Sequence, residues 1–575
     1  MQATLTLQLS STNNLRYVER QDNAVDGSPS TNRTPILPQV LYAINTVPAL
    51  AAIQAANFVW NPSSPLPVIL NNNQNQLRLQ ELLDDLGNLT YILFDESMQP
   101  GTTAKAHILS GDGDWETIKS RSVSTSDYRT QQITLFQNRS IMRWYSGDAV
   151  SGGWTASGSG ANSVATFNVP TKTITLHTLT GIDLNLIKPI GILSWGNYLL
   201  FFTETNLYWS SPLDFKNFTP AIGAGGTTKI TEAQGPLLAI VPTSRGLLIY
   251  CRKNIVACSY SGDAANPWIF NEVAGSCGLL INKGEPLVTG NEQSAVQVAY
   301  TEAGLKIVSM EQVDDAWPEL NQVLSTDYTE HRDVGASQIT IYSYPRDAVD
   351  NNSYRQTKVR RLYMYGEWLF ALIGQAGPNS ATEKYNRLLG YNTQTQETVW
   401  VEGDICALAP SINVYKPPVS TVGQHLKADN VPRSFTLLRR RAASEEPKYR
   451  TVVLDLVGTP PASVPSEGAW DFSEPQVVVG RIKMRKGRKT RLQGVKFVGR
   501  ISRLPTDQGV DIATRLKVFG VSVLGVHVVR KEFIYVPATG MYAGDLTGSD
   551  IKLELVGRHF SLTEAQLYLS DGGSE

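Results

Sequence analysis

The chain has 575 residues, of which 42% are apolar and 46 are glycine, a composition that belongs to folded proteins and excludes an intrinsically disordered chain. Only 18% of the residues are charged, and 51 basic residues against 52 acidic ones leave a net charge of −1. That balance excludes a chain-wide field able to gather nucleic acid or anionic lipid.

In chain order, residues 1–10 lack the charged start and long apolar core of a secretory signal, so export by that route is not expected. No run reaches the roughly 18 apolar residues a membrane helix requires, and the nearest, 36–60, is broken by prolines, so no membrane-spanning segment is expected. Residues 47–56 (VPALAAIQAA) put Pro48 at a first-turn position before an alanine-rich run and predict a short helix. Residues 74–86 predict a second. There Leu79, Leu82, Leu83 and Leu86 share one helical face, and Gly87 stands where a C-terminal cap belongs.

From Asn88 onward the pattern changes to short β-branched and aromatic runs punctuated by Gly, Asn, Asp and Ser, which predicts strands across 90–570. In 110–116 (SGDGDWE), Asp112, Asp114 and Glu116 alternate as in a loop that holds calcium, but the remaining ligands of such a loop are missing. No metal and no cofactor is expected. Residues 146–163, rich in glycine and serine, read as a mobile loop with Trp154 as a local anchor.

An internal repeat sets the architecture. A gapless shift of 48 residues carries Ile192 onto Ile240, Leu199 and Leu200 onto Leu247 and Leu248, Phe202 onto Tyr250, and Leu207 onto Ile255. Both copies read as hairpins. A third follows about 50 residues on, with Val298 and Tyr300 before the turn 301–304 and Leu305 to Val308 after it. Two more hairpins, 359–370 and 387–401, together predict one four-stranded blade. A unit of about 48 residues with four short strands matches the period of propeller blades. Because Leu199 and Phe201 alternate with the equally apolar Leu200 and Phe202, such a blade must be covered on both faces by neighbours, and a closed ring supplies them.

The fold class expected is therefore mainly β: a β-propeller core with a small α+β N-terminal region and a C-terminal β domain. A polar, proline-rich break at 410–432 suggests boundaries of 1–135, 136–425 and 426–575.

Catalytic signatures are missing. The sequence holds no GxSxG, GxxxxGK[ST], HExxH or strand-linked GxGxxG, and its six histidines lie far apart. The cysteines Cys251, Cys258, Cys277 and Cys406 form no CxxC pair and read as reduced, packed thiols. The chain is not expected to be an enzyme. One concentration of charge stands out, Arg481, Lys483, Arg485, Lys486, Arg488, Lys489 and Arg491, seven basic residues in eleven. Ile482 and Met484 interleave with it, which predicts a strand with one apolar and one cationic face, and Gly487 supplies a turn toward Leu492 and Val495. Three uses fit this pattern: a solvated hairpin whose edge is guarded by charge, an interface with an acidic neighbour, or contact with phosphate. Arg439, Arg440 and Arg441 form a smaller cluster of the same kind.

The run from Trp195 to Phe202, the segment Tyr208-Trp209-Ser210-Ser211-Pro212, and Gly235-Pro236-Leu237 opening the next unit resemble the tail nozzle proteins of short-tailed bacteriophages, also called tail tubular protein B or tail hub. Residues 489–499 and 556–562 are similar to the closing β domain of some of these proteins. The resemblance covers roughly 190–310 and 475–565. It implies a homohexamer around a central channel, docked to the head-to-tail adaptor proteins, bearing tail fibres or a tail tip, located in the virion tail and passing viral DNA at ejection. The alternative from another class is a receptor- or glycan-binding tail propeller.

Overall fold

The computed structural model describes residues 2–8, most of 39–60, 76–96, 103–109, 115–122, 131–144 and 162–282 almost without a break. It also describes 285–289, 296–325, the strands between 329 and 455, 476–482 and most of 488–574. The loop expected at 146–163 with Trp154, the break at 411–432, Arg441, and residues Asp112, Asp114, Lys483, Arg485 and Lys486 lie outside the described residues, apart from Asn162 and Ser163.

Among the described residues the chain is nearly all β, with helices only at Leu184–Ile187 and Pro318–Ser325. Six antiparallel sheets, each of four consecutive strands, follow one another at 76–122, 131–178, 191–229, 237–272, 288–315 and 359–403. We number these blades one to six. The arrangement is a β-propeller. A further four-stranded sheet joins Ile405–Pro410, Arg433–Arg440 and Lys448–Asp455 to the N-terminal strand Asn57–Trp60. Its strand Ile405–Pro410 lies against both the first and the sixth blade, which closes the ring.

The apolar alternation explains the stacking. Leu199 and Phe201, both 0% exposed, pack with Phe136, Ile141 and Val164 of blade two. Leu200 and Phe202 point the other way, onto Leu237, Ile240, Leu247 and Ile249 of blade four. Leu248 and Tyr250 in turn pack on Ala299 and Val308 of blade five. Each blade buries both faces and so has no solvent side on which to alternate. The 48-residue register holds at the level of position: Leu199 and Leu247 occupy the second strands of successive blades.

Polar links cross the same junctions. Ser194 Oγ donates to Leu135 O at 2.5 Å and Arg143 Nη1 to Pro189 O at 2.8 Å. Trp195 Nε1 donates to Thr243 O at 3.1 Å, and Tyr250 Oη lies 2.9 Å from Gln297 Oε1. Each satisfies a group that burial would otherwise orphan.

The C-terminal unit is a separate, curled eleven-stranded sheet. Its strands run in the order Gln39–Ile44, Gln476–Ile482, Asp550–Gly557, Thr514–Val521, Val528–Val536, Met541–Gly548, Arg488–Ile501, Phe560–Ser574, Ala52–Ala55, Thr46–Ala49, with Gln2–Gln8 paired to Phe560–Ser574. Its core holds Ile482, Leu492, Leu516, Phe533, Leu553 and Leu567, all at most 2% exposed.

Both expected N-terminal helices are strands. Residues 46–55 form a hairpin whose Ile53 and Gln54 pair with Leu562 and Ser561. A partner strand supplies the backbone hydrogen bonds, and this overrides alanine's weak helix preference. Pro48 is tolerated because its strand ends the sheet. Gln76–Leu83 opens blade one, where Leu79 and Leu82 are both 0% exposed. Leucines three apart mimic a helical face when a strand is buried on both sides. Gly87, at φ +81°, serves a turn between strands and caps no helix.

The strands also divide differently from 1–135, 136–425 and 426–575. The segment 2–55 belongs to the C-terminal sheet and 76–122 is a blade, while Arg433–Arg440 and Lys448–Asp455 belong to the ring. Pairing between distant parts of the chain, which composition does not register, decides this.

Candidate interaction surface

The basic segment does not form a hairpin. Gln476–Ile482 pairs with Gln39–Ile44 and Asp550–Gly557, whereas Arg488–Ile501 pairs with Met541–Gly548 and Phe560–Ser574. Arg481 falls on the first of these strands, and Arg488, Lys489 and Arg491 on the second. Each strand has a neighbour on both sides, so the charge guards no edge, and the edge-guard reading is corrected on that ground.

Of the alternation expected at 481–485 only Ile482 is described with its side chain, but the second strand has two faces of its own. Ile482, Thr490 and Leu492 are 0% exposed, and Lys489 and Arg491 are exposed on the opposite side. Arg491 is held by Asp545 in a two-point ion pair, Nε to Oδ1 at 2.7 Å and Nη2 to Oδ2 at 2.5 Å. That bonding raises the guanidinium's pKa and lowers that of the carboxyl, which burial opposes and the charges of Arg491 and Lys531 assist. Lys531 Nζ reaches Asp545 O at 3.2 Å, which brings a third exposed cation to the spot. Arg530 and Arg515 are exposed on adjoining strands.

The other side chains singled out from the sequence take ordinary structural partners. Glu116 pairs with Lys172 at 2.5 Å, between blades one and two. Among the described residues, no group of three or more His, Cys, Asp or Glu stands close enough to hold a metal ion. Cys251 and Cys258 are buried free thiols and Cys277 is a half-buried one. Burial pushes Cys251 up to about 12 and Cys258 higher still. His107 Nδ1 lies 3.0 Å from Thr117 Oγ1, and His177 Nε2 lies 3.0 Å from Thr166 Oγ1.

Sequence reading missed a ring cluster at the junction of blades three and four. Trp268, 7% exposed, contacts Trp195, Tyr198, Trp209 and Tyr260 with centroids 5.6–6.2 Å apart, and Tyr260 is 45% exposed. The 48-residue spacing between Trp195 and Thr243, which hydrogen-bond each other, was the available signal.

The turn motifs behind the family resemblance lie at strand ends of these two blades. Ser210, fully buried, accepts the Leu199 N–H at 3.0 Å and bonds Ser211 O at 3.2 Å. Gly235 adopts φ +97° just before Leu237 opens blade four.

No family model matches the chain, and no curated protein matches it. Among solved structures it is similar to the core factor of S. cerevisiae at 8% identity and a TM-score of 0.34, over 74% of this chain and 63% of that one. It thus spans less than two thirds of that chain's length. It is also similar to the WD40 domain of SCAP from fission yeast (10%, TM-score 0.25, 89% and 94% covered). A third is the exo-beta-1,3-galactanase of Phanerochaete chrysosporium (10%, TM-score 0.21, 86% and 100% covered). Likeness at this level says nothing about activity.

Proposed function

We propose that this chain is a structural subunit of the nozzle of a short bacteriophage tail: a homohexamer in the virion that docks to the head-to-tail adaptor and gates genome ejection. No residue in it acts as acid, base or nucleophile. The observation that supports the reading best is the position of the resembling motifs. Tyr208 to Pro212 ends the third strand of blade three and Gly235 to Leu237 opens blade four, so the motifs stand at strand ends of successive blades. The C-terminal sheet, which carries the second resembling stretch at 489–499, is a unit of its own, in keeping with a closing domain. Electron microscopy of the purified chain is expected to show sixfold rings, and peptide mass spectrometry of purified virions to find the chain in fixed ratio to the portal protein. A monomer absent from virions rejects the proposal.

One observation favours the alternative of a glycan-binding tail propeller. The half-exposed ring of Tyr260 beside Trp195 and Tyr198 is a surface on which a sugar ring stacks. A glycan array decides it: binding that Tyr260→Ala abolishes promotes this reading, and silence across the array removes it.

A further inference from the structure

Charge is segregated along this chain although its total is near zero. Residues 476–575 hold 16 basic and 9 acidic side chains, a net of +7, while residues 1–475 hold 35 and 43, a net of −8. Part of that positive charge gathers where Arg491 pairs with the Asp545 carboxylate and Lys531 Nζ reaches Asp545 O, with Lys489 exposed on the same side of its strand as Arg491. Arg491 is already fixed by its two-point pair, so little side-chain freedom remains to be lost when a partner arrives.

The counterpart lies on the rim of the propeller. The outermost strand of blade five, Val313–Asp315, and the turn before it expose Glu311, Asp314 and Asp315. Arg245 pairs with Glu311 at 2.6 Å and Lys306 with Asp315, while Asp314 accepts the neutral Gln312 amide at 2.8 Å. The side chains of Glu311 and Asp315 are 63% and 76% exposed, so they can take a second cation without first being uncovered.

From this we infer that the cationic patch of the C-terminal sheet, built on Lys489, Arg491 and Lys531, docks on the acidic rim of blade five in a second copy of this chain. The contact is head to tail, between two different patches, and such a contact repeats until it closes a ring or grows a filament. It deepens the subunit reading above by naming the faces that meet. Nucleic acid is the less favoured occupant of the same face, because the net −8 of the remaining 475 residues repels phosphate and attracts the +7 sheet of a neighbour.

The test uses the full chain in sedimentation velocity, with circular dichroism as a check on folding. Wild type is expected to associate at about 0.05 M NaCl and to dissociate markedly near 0.5 M. Lys489→Glu with Lys531→Glu, and separately Asp314→Lys with Asp315→Lys, should each weaken association by about tenfold or more. In an equimolar mixture the unaltered sheet of the rim variant meets the unaltered rim of the sheet variant, and the two reversed patches also attract, so mixed oligomers should form. Wild-type association that salt and both variants leave unchanged overturns the inference while leaving the nozzle reading intact. A wild-type chain that stays monomeric overturns both. If the sheet variant loses affinity for a short DNA duplex but keeps its oligomers, the face belongs to nucleic acid and the inference fails. Rings that respond to charge reversal, from a chain absent in virions, uphold the contact and reject the nozzle.

Discussion

Asp84 is 1% exposed, and its carboxylate collects four hydrogen bonds. Oδ1 accepts the N–H groups of Leu86 at 2.9 Å and Asn88 at 2.7 Å, and Oδ2 accepts Asn88 Nδ2 at 2.9 Å and Val169 N at 3.1 Å. The last of these comes from blade two, so one side chain both folds the first turn of blade one and ties it to its neighbour. Burial alone would raise the carboxyl's pKa. The bonds from Asn88, Val169 and Leu86 together outweigh it and hold the group below its ordinary 3.8.

Asp84→Asn removes the charge and turns one acceptor oxygen into a donor facing other donors. Hydrogen bonds to a charged group are worth about 1.5–3 kcal/mol each and are not additive, so a loss of about 3 kcal/mol is expected. That corresponds to roughly a hundredfold faster exchange of the protected amides if local opening governs them. The measurements are the urea midpoint and hydrogen exchange at Leu86, Asn88 and Val169. For a depressed pKa, the stabilisation is in full force above the unfolded value and disappears as pH falls through the folded one. The wild type should therefore lose this protection only in acid, and the variant should show no such acid limb. Equal midpoints, or exchange at Val169 that ignores both the substitution and pH, would refute the clasp.

Tyr250→Phe strands Gln297 Oε1 at the junction of blades four and five and should cost about 1–2 kcal/mol in chemical denaturation. Leu247→Ala empties a 0% exposed site between blades three and four and should cost about 2–5 kcal/mol by the same measurement. Cys251 and Cys258, whose pKa values burial raises, should resist alkylation at pH 8 in the native protein and react once urea unfolds it. Gly304→Ala should destabilise blade five, since the residue sits at φ +97° and a Cβ there would come within 2.5 Å of Asn321 Oδ1.

The propeller was readable because blades repeat and because Leu199 to Phe202 is apolar on both sides, a demand that only flanking copies meet. The same property hid blade one, since a strand buried on both faces carries no period-two signature and Leu79 to Leu86 passed for a helix. The fates of 52–55 and 57–60 depend on strands about 400 to 500 residues away, which no local window reports. In the basic segment the interior position of the strands was not legible, because their partners lie at 39–44, 541–548, 550–557 and 560–574. Asp84 lies in the sequence DDLGN, where an aspartate three residues before a glycine marks a turn, though nothing there reveals the bond to Val169.

The ring is sewn shut by Asn57–Trp60 lying along Lys448–Asp455, and the C-terminal sheet is likewise completed by Gln2–Gln8 along its last strand. Strands made first must therefore wait, unpaired, for partners made last. A ribosome still working on the middle of this message holds a chain with exposed sticky edges, and crowding, heat or a stall at that moment favours tangles between neighbouring nascent chains over maturation.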